Sequence, residues 1–264
     1  MDDGIGRRVR TIIDRFGGRF SSQVGIDVDD GDDEIERWFL ASTLFGNRID
    51  SKIAIRTYQV LDGLGLSSIE DVASCDRDDL VELLDRGGFV RYDYRMAARL
   101  LALAENAARV LPDGAAALGS HYPDPEHLRV VLESLPGWGP VTTRAFLREL
   151  RGPWPGAELP VDPLAARAAR HMRIGDGDGF DVGEIRRCAT TAAVDVRDLE
   201  AALVRVALAH HRSFDMCESR SPDRCELLEP GASGPKPSGR SDGDGRHRVV
   251  QIDSRLRAFP RPRR

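Results

Sequence analysis

The sequence predicts an all-α protein. Two observations carry that prediction. Apolar residues recur at helical spacing along most of the chain, and no alternating stretch is long enough for a strand. Roughly ten helices joined by short loops are expected to pack around a shared core.

The elements follow in chain order. Residues 1–32 leave the reading open: RRVRTIIDRF (7–16) has a helical pattern, and GIDVDDGDD reads as a loop. DEIERWFLASTLF (33–45) is a helix with a broad apolar face, on which Trp38 belongs to the core. SKIAIRTYQVLDGL (51–64) follows, and SSIEDVAS (67–74) opens with a serine cap. DRDDLVELLDRGG (76–88) closes on glycine, a common helix stop. YRMAARLLALAENAARVL (94–111) is rich in strong helix formers. DPEHLRVVLESL (124–135) carries Pro125 in its first turn, where a missing N–H leaves no bond unmade. VTTRAFLRELR (141–151), DPLAARAARHM (162–172), DVGEIRRCATTA (181–192) and DVRDLEAALVRVALAHHR (195–212) complete the set. A helical domain is expected over 33–229. The stretch 230–264, rich in Gly, Pro, Ser and Arg, reads as a disordered basic tail.

Composition bounds the function. With 41% apolar and 31% charged residues the chain resembles an ordinary soluble domain. No apolar run approaches the ~20 residues of a membrane span. The N-terminus MDDGIGRRVRTIIDRF lacks the basic-then-apolar order of a secretion signal. No membrane partner and a cytoplasmic location are expected. Cys75, Cys188, Cys217 and Cys225 are too few and too scattered for a disulfide framework. The net charge is −5, yet residues 231–264 hold nine Lys/Arg against three Asp, a net of +6, so the remainder carries −11. An acidic total does not exclude DNA, because affinity depends on the field at the contact face.

LPGWGPVTT (135–143) interrupts two helices with two glycines and two prolines. Pro136 and Gly137 turn the chain, Gly139 turns it again, and Pro140 presets the next helix. Glycines admit close backbone approach. The amides around Gly139 to Thr142, including that of Val141, face outward at the positive end of a helix dipole, which suits a phosphate oxygen. Arg144 and Arg148 add positive charge. Read alone, the same turn also serves as a tight αα-corner.

Leu-Pro-Gly-x-Gly with a threonine three residues on resembles the helix-hairpin-helix of the base-excision DNA glycosylases, the endonuclease III superfamily. Nineteen residues beyond Thr143 stands Asp162, in LPVDPLAARAARHM, which is similar to that superfamily's Val-Asp segment. Asp162 takes the place of its essential aspartate, although an aspartate before a helix is ordinarily an N-cap. FLASTLFGNRIDSKIAIRTYQVL (39–61) is similar to the family's first core helices, and the glutamine that fills the space of a flipped base falls on Asn47. GGFVRYDYRMAARLLALA (87–104) is similar to its glycine-containing loop and following helix, with Phe89, Val90, Arg91 and Tyr92 as candidate wedge residues. Trp138, at the hairpin's variable position, is expected to be partly exposed on the DNA side. The resemblance covers about residues 33–212. It implies a two-lobed helical bundle with a helix-hairpin-helix over about 124–151 and a pocket between the lobes with Asp162 at its mouth.

Two departures matter. Bifunctional relatives carry a nucleophilic lysine where this chain has Val141, so hydrolysis by water without lyase activity is implied. Many relatives hold a four-iron cluster on Cys-x6-Cys-x2-Cys-x5-Cys. Only Cys217 and Cys225 stand here, spaced Cys-x7-Cys, and the first cysteine position falls near His211. This looks like a degraded cluster site, and no cofactor is expected. Zinc on His211, Cys217 and Cys225 lacks a fourth ligand unless His210 or Cys188 contributes. The implied function is a monofunctional glycosylase acting as a monomer on double-stranded DNA with a damaged or mismatched base. The alternatives are a catalytically inactive DNA- or lesion-binding protein and a helical interaction domain with no role on nucleic acid.

Overall fold

The computed structural model describes residues 2–46, 50–175 and 179–210, together with Phe214, Cys217 and Cys225. The described residues are helical, and their only bridge-type pairing joins Arg151 to Trp154. Asn47, His211 and the tail 230–264 lie outside them.

The N-terminal segment that the sequence leaves open forms α1 (Asp2–Phe16) and α2 (Phe20–Gln23). Ile5, Val9, Ile12 and Phe16 give α1 one buried face at helical spacing. Then come α3 (Asp32–Phe45), α4 (Ser51–Asp62), α5 (Ile69–Ala73), α6 (Arg77–Gly87) and α7 (Asp93–Val110). A short α8 (Leu118–His121), which the sequence did not signal, leads to α9 (Pro125–Glu133) and α10 (Pro140–Arg148). The chain closes with α11 (Pro163–His171), α12 (Val182–Ala192) and α13 (Val196–Ala209).

Aspartate sets most of the starts. Asp50, Asp76, Asp124, Asp162, Asp181 and Asp195 each accept a first-turn amide of the helix that follows. Ser68 and Asp71 form a reciprocal capping box on α5. At the expected glycine stop of α6, Gly88 adopts φ +109°, the left-handed cap that L side chains resist.

Two helix clusters result. The first is α3 to α7. The second packs α1, α11 and α12 around α13, which is buried on most of its surface. α10 joins them, touching both α3 and α13. The residue that caps its C-terminus anchors the N-terminal segment: buried Glu149 accepts the amides of Phe20 and Ser21 and the Ser21 hydroxyl at 3.0–3.3 Å. Burial pushes the Glu149 carboxyl up against the pull of Arg148. No helix among the described residues is long and apolar enough to cross a membrane.

Candidate functional site

The turn between α9 and α10 follows from its residues. The Trp138 amide donates to the Leu135 carbonyl at 3.0 Å across Pro136 and Gly137. Gly137 has φ +81°. Proline at the second position and a positive-φ glycine at the third define a type II turn. Gly139 is extended, and the Thr143 amide closes the first helical bond onto its carbonyl at 3.0 Å. No side chain caps α10. The amides of Val141 and Thr142 are first-turn donors of the kind that have no partner inside their own helix.

The two glycines differ. A Cβ on Gly137 would lie 2.3 Å from Cδ of Arg99, so the α7 side chain runs directly over this turn. A Cβ on Gly139 would meet nothing within 4 Å, so that face is open. Val141 is 62% exposed, whereas the Thr142 side chain is buried and turned toward Gly46 at the end of α3. Thr142 therefore offers a ligand only its backbone N–H. Arg144 is half-buried on the next turn.

Two expectations at the hairpin are overturned. Trp138 is only 5% exposed. It stacks on Phe39 at 4.5 Å and its Nε1 donates to the Thr43 hydroxyl at 3.1 Å, so it anchors the turn to α3 instead of facing outward. Arg148 is also buried, over the Phe20 ring and beside Glu149, and adds no charge to the surface. Trp38 lies in the core as expected, its Nε1 donating to the Phe146 carbonyl at 3.2 Å.

The loop ahead of α7 is the most apolar exposed stretch nearby. Val90 is 68% exposed and Tyr92 48%, with Arg91 and Tyr94 exposed beside them. Phe89 is buried, which removes it from the wedge candidates. Asp93 and Arg99 are six residues apart on α7, about 9 Å at the helical rise. The exposed loop is therefore tied to the hairpin through one rigid element.

Asp162 is half-buried at the start of α11 and accepts the Leu164 amide at 2.8 Å. That cap is shared in kind with five other aspartates, so it does not single Asp162 out. Its surroundings do. The backbone N–H of Asp162 donates to Oε1 of Glu200 at 2.9 Å. Glu200 in turn holds Arg151 at 3.0 Å, and Arg151 donates to the Leu159 carbonyl at 2.9 Å. Both ionic side chains are buried. The loop entering Asp162 is thus fixed from α13. Neither Glu200 nor Arg151 is marked by any sequence motif.

A cavity of about 360 Å³ separates this loop from the hairpin. Pro140, Thr143 and Arg144 line one side, and Leu159, Val161 and Pro163 the other. Arg129 also reaches it, but Glu126 and Glu133 already pair with its guanidinium. A larger cavity of about 590 Å³, beside Asp32, Glu36, Glu70 and Asp113, carries the wrong sign of charge for phosphate.

A second cluster lies at the far end of α11. His171 ends that helix, His210 follows α13, and Cys217 and Cys225 complete a set whose donor atoms all lie within 4.8 Å of one another. This is the degraded metal site expected around Cys217 and Cys225. The structure brings in His210 and His171, while His211 is outside the described residues. His171 came from a different helix and carried no spacing signal. Cys188 is buried and is not part of the set.

No protein-family model, curated protein or solved structure matches the chain.

Proposed function

We propose that the protein is a monofunctional base-excision DNA glycosylase, acting as a monomer on duplex DNA that carries a damaged or mismatched base. One observation carries the reading: the uncapped start of α10 and the loop of Asp162 face each other across one cavity, with the exposed Val90–Tyr92 loop tied to the same turn. In this reading the amides of Gly139, Val141 and Thr142, with Arg144, grip a backbone phosphate. Arg91 and Tyr92 enter the duplex beside the extruded base, and Asn47 fills its place. Asp162 stabilises the cationic sugar as the glycosidic bond breaks and orients the attacking water. Valine at position 141 offers no amine, so no covalent intermediate forms and the strand stays intact.

The test is base release from duplexes with alkylated, oxidised, deaminated or mismatched bases, with and without alkali. Abasic product that breaks only after alkali is the expected outcome. A second reading, a binding protein without catalysis, draws on the cap: Asp162 already spends one carboxylate oxygen on Leu164. Duplex binding with no base release from any substrate would establish that reading instead. No binding even at low salt would remove DNA altogether.

A further inference from the structure

We propose that His171, His210, Cys217 and Cys225 form a closed, four-ligand zinc site that ties the segment after α13 to α11. The endonuclease III resemblance implies a four-iron cluster in this region, and the residues do not fit it. Such a cluster takes four thiolates, and the set here is two thiolates and two imidazoles. A two-iron centre with mixed ligands places its cysteines and histidines on different irons, which holds the two pairs apart. Here all four donor atoms lie within 4.8 Å of one another. That spacing is compact enough for one ion to be shared by all four.

One of the donor distances already matches a tetrahedral ion. Zinc bonds of about 2.3 Å to sulfur and 2.0–2.1 Å to nitrogen put neighbouring S and N ligands about 3.6 Å apart. Sγ of Cys225 lies 3.4 Å from Nε2 of His210. The other ring nitrogen of His210, Nδ1, sits 2.7 Å from the Val206 carbonyl and donates to it, which leaves Nε2 with its lone pair. Metal-bound histidines are ordinarily oriented by this kind of outer hydrogen bond. Nε2 of His171 is buried with no hydrogen-bond partner among the described residues, the condition a metal bond would resolve. Phe214 stacks on the His171 ring at 4.5 Å and lies 4.8 Å from that of His210, closing one side. Cys225 is 1% exposed. Four protein ligands leave no open position, so the role is structural.

Elemental analysis of the full chain purified without chelator tests this. One equivalent of zinc per chain is expected, with cobalt exchange giving the visible bands of a tetrahedral thiolate site. Cys217→Ser, Cys225→Ser and His171→Gln should each lose most of the metal. Should a variant fail to fold, the wild-type protein still decides the matter: chelator should unmask two thiols to a thiol reagent and lower Tm. A metal-free protein that takes up no zinc, iron in its place, a Cys217–Cys225 disulfide, or thiols indifferent to chelator would each overturn the proposal. None of these readouts depends on DNA activity.

Discussion

Glu200, on α13, accepts the backbone N–H of Asp162 at 2.9 Å while its carboxylate holds buried Arg151. One carboxylate thus fixes both the loop that delivers Asp162 and the charge beneath that loop. Glu200→Ala leaves the buried guanidinium with only the longer, partly exposed pair to Glu158 at 3.4 Å, and losing the buried partner should cost about 3 kcal/mol. Denaturant unfolding should show a loss of that size. A change under 1 kcal/mol would mean that water reaches Arg151 and that Glu200 does not position the loop.

Asp162 serves as a cap whatever else it does, and the two roles separate by substitution. Asparagine caps as well as aspartate, so Asp162→Asn should leave stability within about 0.5 kcal/mol while abolishing base release. Asp162→Ala should lose about 1 kcal/mol as well. Base release by Asp162→Asn at the wild-type rate would refute the catalytic assignment.

The hairpin glycines should respond in opposite ways. Gly137→Ala forces a Cβ into a left-handed position and against Arg99, and should cost about 1–2 kcal/mol from the backbone alone. Gly139→Ala meets nothing in the free protein and should melt with the wild type. Its methyl faces the open side of the α10 amides, so duplex affinity should fall several-fold. Titration calorimetry or fluorescence anisotropy checks this, and unchanged affinity would move the phosphate elsewhere.

Acid stability should trace to Arg197. Its hydrogen bond holds the Asp29 carboxyl below the usual 3.8. At Asp195 burial pushes the other way, and the hydrogen bonds and charge of Arg197 outweigh it. A carboxyl lowered by folding adds stability that is fully present above its unfolded value and is lost as pH falls through the folded one. Glu149 has the opposite sign: burial raises it above 4.5, so its contribution fades as pH rises. Stability should therefore peak in mild acid and fall steeply below about pH 3.8. Asp195→Asn, which keeps the cap, should flatten only the acid limb of urea midpoints measured against pH.

The helices were legible because their cues are local. Periodic apolar faces and aspartate caps lie within one turn of the residues they organise, and the glycine stop at Gly88 needs only its own φ. Trp138 misled because a glycine-flanked position looks exposed until Phe39 and Thr43, about a hundred residues earlier, close over it. Arg148 misled in the same way, since Phe20 and Glu149 cover it. Glu200 and Arg151 were invisible because buried ion pairs leave no periodic trace. His171 joined Cys217 and Cys225 only through the packing of α11 against α13.

The placement of α1 bears on how the chain is made. Arg10 reaches the Ala192 carbonyl across 182 residues, and Arg205 donates to the carbonyl of Phe16. At about 5–20 residues per second, a ribosome leaves α1 waiting roughly 9–36 s for its packing partners. Helices α4 to α7, whose partners lie close in sequence, have no such delay, and α3 waits only for α10. Synthesis therefore runs with one cluster settled and the apolar face of α1 still open, the interval in which a chaperone has most to hold.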